Sequence, residues 1–170
     1  MKKLVVAVAN GFGLGLAPVA SGTFGALLGL PLAVAVVSLP SVGMQLCAAL
    51  ALAAAAVPVC DVAERHYGKK DDGRIVADEW MLLPLCFVGQ LPLREMLLGG
   101  QCGQAFAFMA LAFAVSRFFD IAKIFPVYRL QALPGGFGVV LDDFCADIQS
   151  WLAIRLLALW LFPGSVVHFF

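Results

Sequence analysis

The sequence predicts an all-α fold, a polytopic membrane bundle of four to five spans with its polar loops on the cytoplasmic side, and three observations carry that prediction. Its 170 residues are 62% hydrophobic and 13% charged, against about 45–50% and about 25% in ordinary soluble domains. Residues 4–60 contain no Asp, Glu, Lys, Arg or His, which leaves room for two crossings of roughly 20 mostly apolar residues each. The remaining charges collect between apolar runs, in three polar islands. A mean hydropathy of +0.97 argues against a soluble monomer and excludes intrinsic disorder, which needs low hydrophobicity. Eleven basic residues balance eleven acidic ones, so no net field gathers nucleic acid, and none is expected as a partner.

Lys2 and Lys3 precede an apolar stretch, as in a secretory leader, but that stretch runs on through glycines without a small-x-small site to close it. A cleaved leader is therefore not expected. The first span is expected over residues 26–39, extended back to Thr23, and the second over residues 42–60, with Pro40 and Ser41 forming the turn. Further apolar runs cover residues 80–98, 103–115 and 148–162, the last interrupted by Arg155. The shorter runs suit tilted, re-entrant or bundle-packed helices. Cys47, Cys60, Cys86, Cys102 and Cys145 form no CxxC pair and read as small buried hydrophobes. With no repeat, linker or second composition, one domain over residues 1–170 is expected. Placing Lys2 and Lys3 in the cytoplasm also brings Arg65, Lys69, Lys70, Arg74, Arg117, Lys123 and Arg129 to that side, as the positive-inside rule prefers.

The first island is Gly11-Phe-Gly-Leu-Gly-Leu-Ala-Pro-Val-Ala-Ser-Gly-Thr-Phe-Gly25. Its glycines have the wrong spacing for a dinucleotide fingerprint, and no acidic residue follows until Asp61. Ser21, Gly22 and Thr23 read as the N-cap of an apolar helix, an arrangement that also suits a phosphate. The second island ends in Asp78-Glu79, and the third spans residues 117–147. Arg117, Asp120 and Lys123 recur every three residues and share a helix face able to hold a metal and an anion together. Gly135, Gly136 and Gly138 are expected to form a turn that sets Asp142 at a helix N-terminus or offers its own amides to phosphate. Asp143 and Asp147 share a face, whereas Asp142 and Asp143 diverge by about 100°.

Asp78, Glu79, Asp120, Asp142 and Asp143 each border an apolar segment, where an unpartnered charge costs about 2.5–3.5 kcal/mol. Clustered hard oxygens suit Mg²⁺ or Ca²⁺, with Mg²⁺ favoured where a phosphate completes the shell. Other hydrolytic chemistries lack their parts. Between Cys60 and Arg65 there is no small-residue loop, the histidines are His66 in a charged loop and His168 near the end, and no Gly-x-Ser-x-Gly occurs. Metal-dependent chemistry by carboxylates survives.

Four blocks stand in order over most of the chain: Pro18-Val-Ala-Ser-Gly-Thr-Phe-Gly25, Ala63-Glu-Arg-His-Tyr-Gly-Lys-Lys-Asp-Asp-Gly-Arg-Ile-Val-Ala-Asp-Glu79, Arg117-Phe-Phe-Asp-Ile-Ala-Lys123 and Gly135-Gly-Phe-Gly-Val-Val-Leu-Asp-Asp143. Together they resemble the phosphatidylglycerophosphatase A family. The resemblance implies a multi-pass enzyme of the bacterial inner membrane that uses Mg²⁺ to remove the terminal phosphate of phosphatidylglycerophosphate, a phospholipid substrate, with its active site facing the cytoplasm. Carried onto this chain, it implies a catalytic set of Asp78, Glu79, Asp120, Asp142 and Asp143. Of these, Asp78, Asp142 and Asp143 would hold the Mg²⁺, and Glu79 or Asp120 would complete its shell or orient water. Gly22, Thr23, Arg117 and Lys123 would bind the substrate's phosphate.

The chain departs from the family pattern at three prolines. Ser21 stands within Ala-Pro-Gly-Thr, Asp72 within Asp-Pro-Gly, and Ile124 within Lys-Pro-x-Pro. Trp80 also follows Glu79 where a smaller aliphatic residue is common. These changes touch turn rigidity and packing more than chemistry. The rival reading, an ion-coupled transporter or cation-binding membrane protein, draws on the same carboxylates and broken Gly-rich helices. It is disfavoured because the polar residues gather at one end and no two halves of the chain resemble each other. A non-catalytic assembly subunit would have no use for so many carboxylates beside cations.

Overall fold

The computed structural model describes residues 2–122 and 136–162. Among them there is no strand. The helices are α1 (Lys2–Ala9), α2 (Ser21–Leu27), α3 (Gly29–Val37), α4 (Val42–Tyr67), α5 (Ala77–Leu82), α6 (Leu91–Leu98), α7 (Cys102–Ala122) and α8 (Gly136–Leu161), with 3-10 turns at Gly11–Leu16 and Leu83–Phe87. This is the helical membrane bundle that the composition predicts. Three helices, α4, α7 and α8, are long and apolar enough to cross a membrane, and α5 with its 3-10 turn and α6 make a fourth if that bent pair is one span.

The elements differ in detail from the apolar runs. The expected first span breaks into α2 and α3 and totals only Ser21–Val37, shorter than a full crossing. The run at residues 80–98 bends by 89°. The run at 103–115 continues to Ala122, which puts Arg117 and Asp120 on the last turns of a spanning helix. The final run reaches back to Gly136. Gly136 and Gly138 are therefore helical rather than a turn, and Asp142 lies inside α8, not at its N-terminus. The reason is packing: α8 starts where it meets α4, and a Cβ added at Gly136 would collide with the Val57 carbonyl and crowd the Asp61 amide at 2.8 Å. Gly135 lies outside the described residues.

Helix α4 is set by its ends. Ser41 is extended and its Oγ accepts from the Met44 N–H at 3.2 Å, a side-chain N-cap. Gly68, at φ +66°, closes the helix with its N–H on the Glu64 carbonyl at 2.8 Å. Between them Ala49, Ala53, Ala56, Cys60 and Ala63 form a buried stripe, and small residues at this spacing let helices approach closely in lipid. Around the stripe pack Ala9, Ile75, Ala77, Met81, Leu82 and Val140. A second core joins α3, the 3-10 turn, α6, α7 and α8 through Val37, Leu83, Phe87, Leu93, Phe108 and Ile154.

The bend at residues 88–90 frees backbone groups, which in a bilayer must find protein partners. Gln45, buried in α4, serves the bend at one of them and the end of α3 at two more groups. Its Nε2 donates to the Val37 and Leu39 carbonyls at 3.0 and 3.1 Å, and its Oε1 accepts from the Gly89 N–H at 2.8 Å. Trp151 Nε1 donates to the Val88 carbonyl at 2.8 Å and Arg155 Nη1 to the Gly89 carbonyl at 2.9 Å. Arg155, an interruption in the apolar run, is thus a cap for the bend.

Candidate active site

The site forms where the start of α5, the end of α7 and the first half of α8 meet. A polar clasp delivers α5 to that point. Tyr67 accepts from Asn10 Nδ2 at 2.6 Å, and Arg74 lies over the Tyr67 ring at 3.8 Å. Arg74 also grips Asp72 with hydrogen bonds of 2.7 and 3.0 Å, and these hold the Asp72 carboxyl down at about 2. The Asp71 N–H donates to Glu64 Oε1 at 2.8 Å, the Val76 N–H to the Ala9 carbonyl at 2.8 Å, and Ser21 Oγ to the Gly73 carbonyl at 2.7 Å. The first and second islands are therefore one tied unit. Ser21 does not cap α2: the N-cap is Ala20, in the left-handed region at φ +51°, with no side-chain cap. The hydroxyl is spent on Gly73 instead.

Asp78 and Glu79 occupy the first turn of α5, Asp78 buried and Glu79 nearly so. Glu79 rests directly on Gly22: a Cβ added there would run into its carboxylate. From α7, Arg117 Nη1 lies 3.0 Å from Asp120 Oδ2 and 3.6 Å from Glu79 Oε2. From α8, Asp143 is within electrostatic reach of Asp78, Asp120, Asp142 and Glu79, and Asp147 within reach of Glu79, Asp120 and Arg117. The structure thus brings together Gly22, Asp78, Glu79, Arg117, Asp120 and Asp143. Asp142 is buried about 100° round α8 from Asp143 and acts on it electrostatically. Thr23 is half-buried one residue beyond Gly22. Lys123 lies outside the described residues.

Two residues join the site that sequence reasoning did not assign to it. Asp147 is 6% exposed, and its Oδ1 accepts from the thiol of buried Cys86 at 3.0 Å. The spacing of Asp147 from Asp143 was a usable signal for it, since four residues bring two carboxylates to one face. Cys86 carried no signal. A thiol in an apolar run reads as core until its neighbour is known.

Electrostatically the site is unbalanced. Glu79, Asp120, Asp143 and Asp147 surround the Arg117 guanidinium, with Asp78 beside Glu79 and Asp120, and such carboxylates packed away from water repel one another unless cations or donors neutralise them. Among the described residues, Asp78 Oδ1, Glu79 Oε2 and Arg117 Nε are buried without a hydrogen-bond partner. Orphans of both signs, side by side, suit a ligand that carries positive charge to the carboxylates and oxygens to the arginine. Among the described residues no three His, Cys, Asp or Glu side chains converge as a ready-made metal cage. The donor chemistry nevertheless fits Mg²⁺, which is held by one or two carboxylates together with waters and substrate phosphate rather than by an all-protein cage.

The sequence profile of the phosphatidylglycerophosphatase A family matches residues 7–158. A Haemophilus influenzae protein named phosphatidylglycerophosphatase A is 33% identical over 155 residues, covering 91% of this chain and 88% of its own. A Bacteroides thetaiotaomicron protein named "Putative phosphatidylinositol-3-phosphatase" is 31% identical over 159 residues, 90% of this chain and 92% of its own. An Escherichia coli protein named phosphatidylglycerophosphatase A is 28% identical over 144 residues, 84% of this chain and 77% of its own. No solved structure matches the chain significantly. A likeness that runs nearly from end to end, through every element that builds the acidic site, makes the chain a member of the phosphatidylglycerophosphatase A family of phosphatases.

Proposed function

We propose that the chain hydrolyses phosphatidylglycerophosphate to phosphatidylglycerol and inorganic phosphate, with Mg²⁺, at the cytoplasmic face of a bacterial inner membrane. The observation that carries this reading is the buried mismatch where α5 meets α7: among the described residues, carboxylate oxygens of Asp78 and Glu79 and the Arg117 Nε lack a hydrogen-bond partner. A phosphate monoester presented with a divalent cation satisfies both at once.

In the reaction a water oxygen bonds to phosphorus as one of its protons passes to Glu79. The bond from phosphorus to the glycerol oxygen breaks, that oxygen takes a proton from a solvent water as it leaves, and Glu79 returns its proton to solvent. Arg117 takes up the phosphoryl charge, aimed by Asp120 at 3.0 Å. Glu79, at a looser 3.6 Å from the same guanidinium, orients the attacking water and receives its proton. Gly22 leaves the Glu79 carboxylate the room it needs, and Thr23 and Lys123 assist in holding the phosphate. One or two of Asp78, Asp142 and Asp143, together with waters and the substrate phosphate, would hold Mg²⁺, which when bound supplies Lewis-acid polarisation and an acidified water. A site formed at helix ends lets a headgroup reach it sideways while the acyl chains stay in the bilayer. The positive-inside bias of Lys2, Lys3, Arg65 and Lys69 supports the cytoplasmic orientation.

The test is phosphate release by the detergent-purified protein from phosphatidylglycerophosphate, phosphatidic acid and phosphatidylinositol 3-phosphate, each with Mg²⁺ and with chelator. Release from the first lipid above the other two, abolished by chelator, is the expected result. Preference for the inositol lipid would reassign the headgroup, and turnover in chelator would overturn the metal.

A further inference from the structure

Away from the acidic site, α1 and α4 enclose a cavity of about 330 Å³ lined by Lys2, Val6, Val62, Arg65 and His66. Its residues recur at helical spacing, Lys2 with Val6 on α1 and Val62 with Arg65 and His66 on α4, so each helix gives one face to it. Cys60, Ala63 and Glu64 form the buried side of α4, and Cys60 is within reach of Asp78 and Asp143. Val62, Arg65 and His66 each lie two positions further on, about 200° round the helix. The cavity and the acidic site therefore occupy opposite flanks of α4.

We propose that this cavity binds the headgroup of an anionic phospholipid of the surrounding bilayer, a molecule other than the substrate. Two features select an anionic amphiphile. Lys2 and Arg65 present cations beside His66, while Val6 and Val62 give the cavity an apolar wall. Arg65 Nη2 is tied to Asp61 at 2.9 Å, but its side chain is 79% exposed. The depth is right as well. The apolar sequence of α4 ends at Cys60 and its charges begin at Asp61, so the cavity lies where the spanning segment meets the headgroup layer, the level at which basic residues attract anionic lipid.

The test is a binding titration of the detergent-purified chain, read by native mass spectrometry, with short-chain phosphatidylserine, short-chain phosphatidylcholine and inorganic phosphate. No turnover is measured, so the result is independent of the reaction proposed above. The wild type binds phosphatidylserine more tightly than phosphatidylcholine, and inorganic phosphate does not displace it. Lys2→Gln and Arg65→Gln each weaken phosphatidylserine binding roughly fivefold, Lys2→Arg retains it, and Lys3→Gln, a neighbouring charge outside the cavity, leaves it unchanged. Equal binding of the two lipids, or equal losses in Lys2→Gln and Lys3→Gln, would overturn the site. Displacement by inorganic phosphate would overturn the lipid as its ligand. All the altered side chains are exposed, and an unchanged elution volume verifies the fold.

Discussion

Two of the places where the bundle buries polar groups are treated in opposite ways. At the bend of residues 88–90, the Gly89 N–H, the Gly89 carbonyl and the Val88 carbonyl each meet a side chain, from Gln45, Arg155 and Trp151. Gln90 Oε1 beside them is buried without a donor, but it is neutral. Around Arg117 the unmatched atoms are charged, and acidic groups outnumber the guanidinium they surround. Satisfied polarity in an apolar medium is scaffolding. Charge of like sign without hydrogen-bond partners among the described residues costs stability, the pattern expected of a site that takes a ligand.

The sharpest way to break this contrast is to neutralise one member of each region. Asp143→Asn is expected to lower kcat by about 10²–10³-fold while the melting temperature holds or rises, because one repelling charge is gone. A fall in melting temperature equal to that of a core substitution would make the acidic region structural too. Gly22→Ala comes next: its methyl group displaces the Glu79 carboxylate, and kcat should drop by about tenfold or more with little change in stability. Gln45→Ala tests the other region. It strips partners from the Gly89 N–H and two carbonyls, so stability should fall by about 2–3 kcal/mol, read by thermal unfolding in detergent, with kcat of the folded fraction unchanged. The smallest effect belongs to the clasp. Asp72 ionises in the folded protein at about 2 rather than at about 3.9, so its stabilisation is complete above the ordinary value and is lost as pH falls through the folded one. Arg74→Gln should lower the melting temperature slightly near neutrality and flatten its fall across that window, so that variant and wild type converge once pH drops below about 2.

Which parts were legible follows from the same contrast. A charge in a chain this apolar is costly wherever it stands, so Asp78, Glu79, Arg117, Asp120 and Asp143 announced themselves by residue type, and their grouping followed from the islands. Neutral partners made no such announcement. Gln45 stands alone in an uncharged run of residues 4–60, and nothing local says that it reaches Gly89, 44 positions away. Helix boundaries failed for a related reason. Gly136 and Gly138 look like a turn by local preference, and they are helical because α8 needs a residue without a side chain against the α4 backbone. Likewise Ser21 has the chemistry of a cap, but Gly73 competes for its hydroxyl and wins.

Two of the contacts that hold α8 have a mechanical consequence. At one end Gly136 is seated on the backbone of α4, and at the other Arg155 is bolted to Gly89, about 28 Å along the helix axis. Asp143 and Asp147 sit between these supports. A cluster of like charges on a loose loop would relax by drifting apart; carried on a helix seated at two points, these carboxylates are held against that drift.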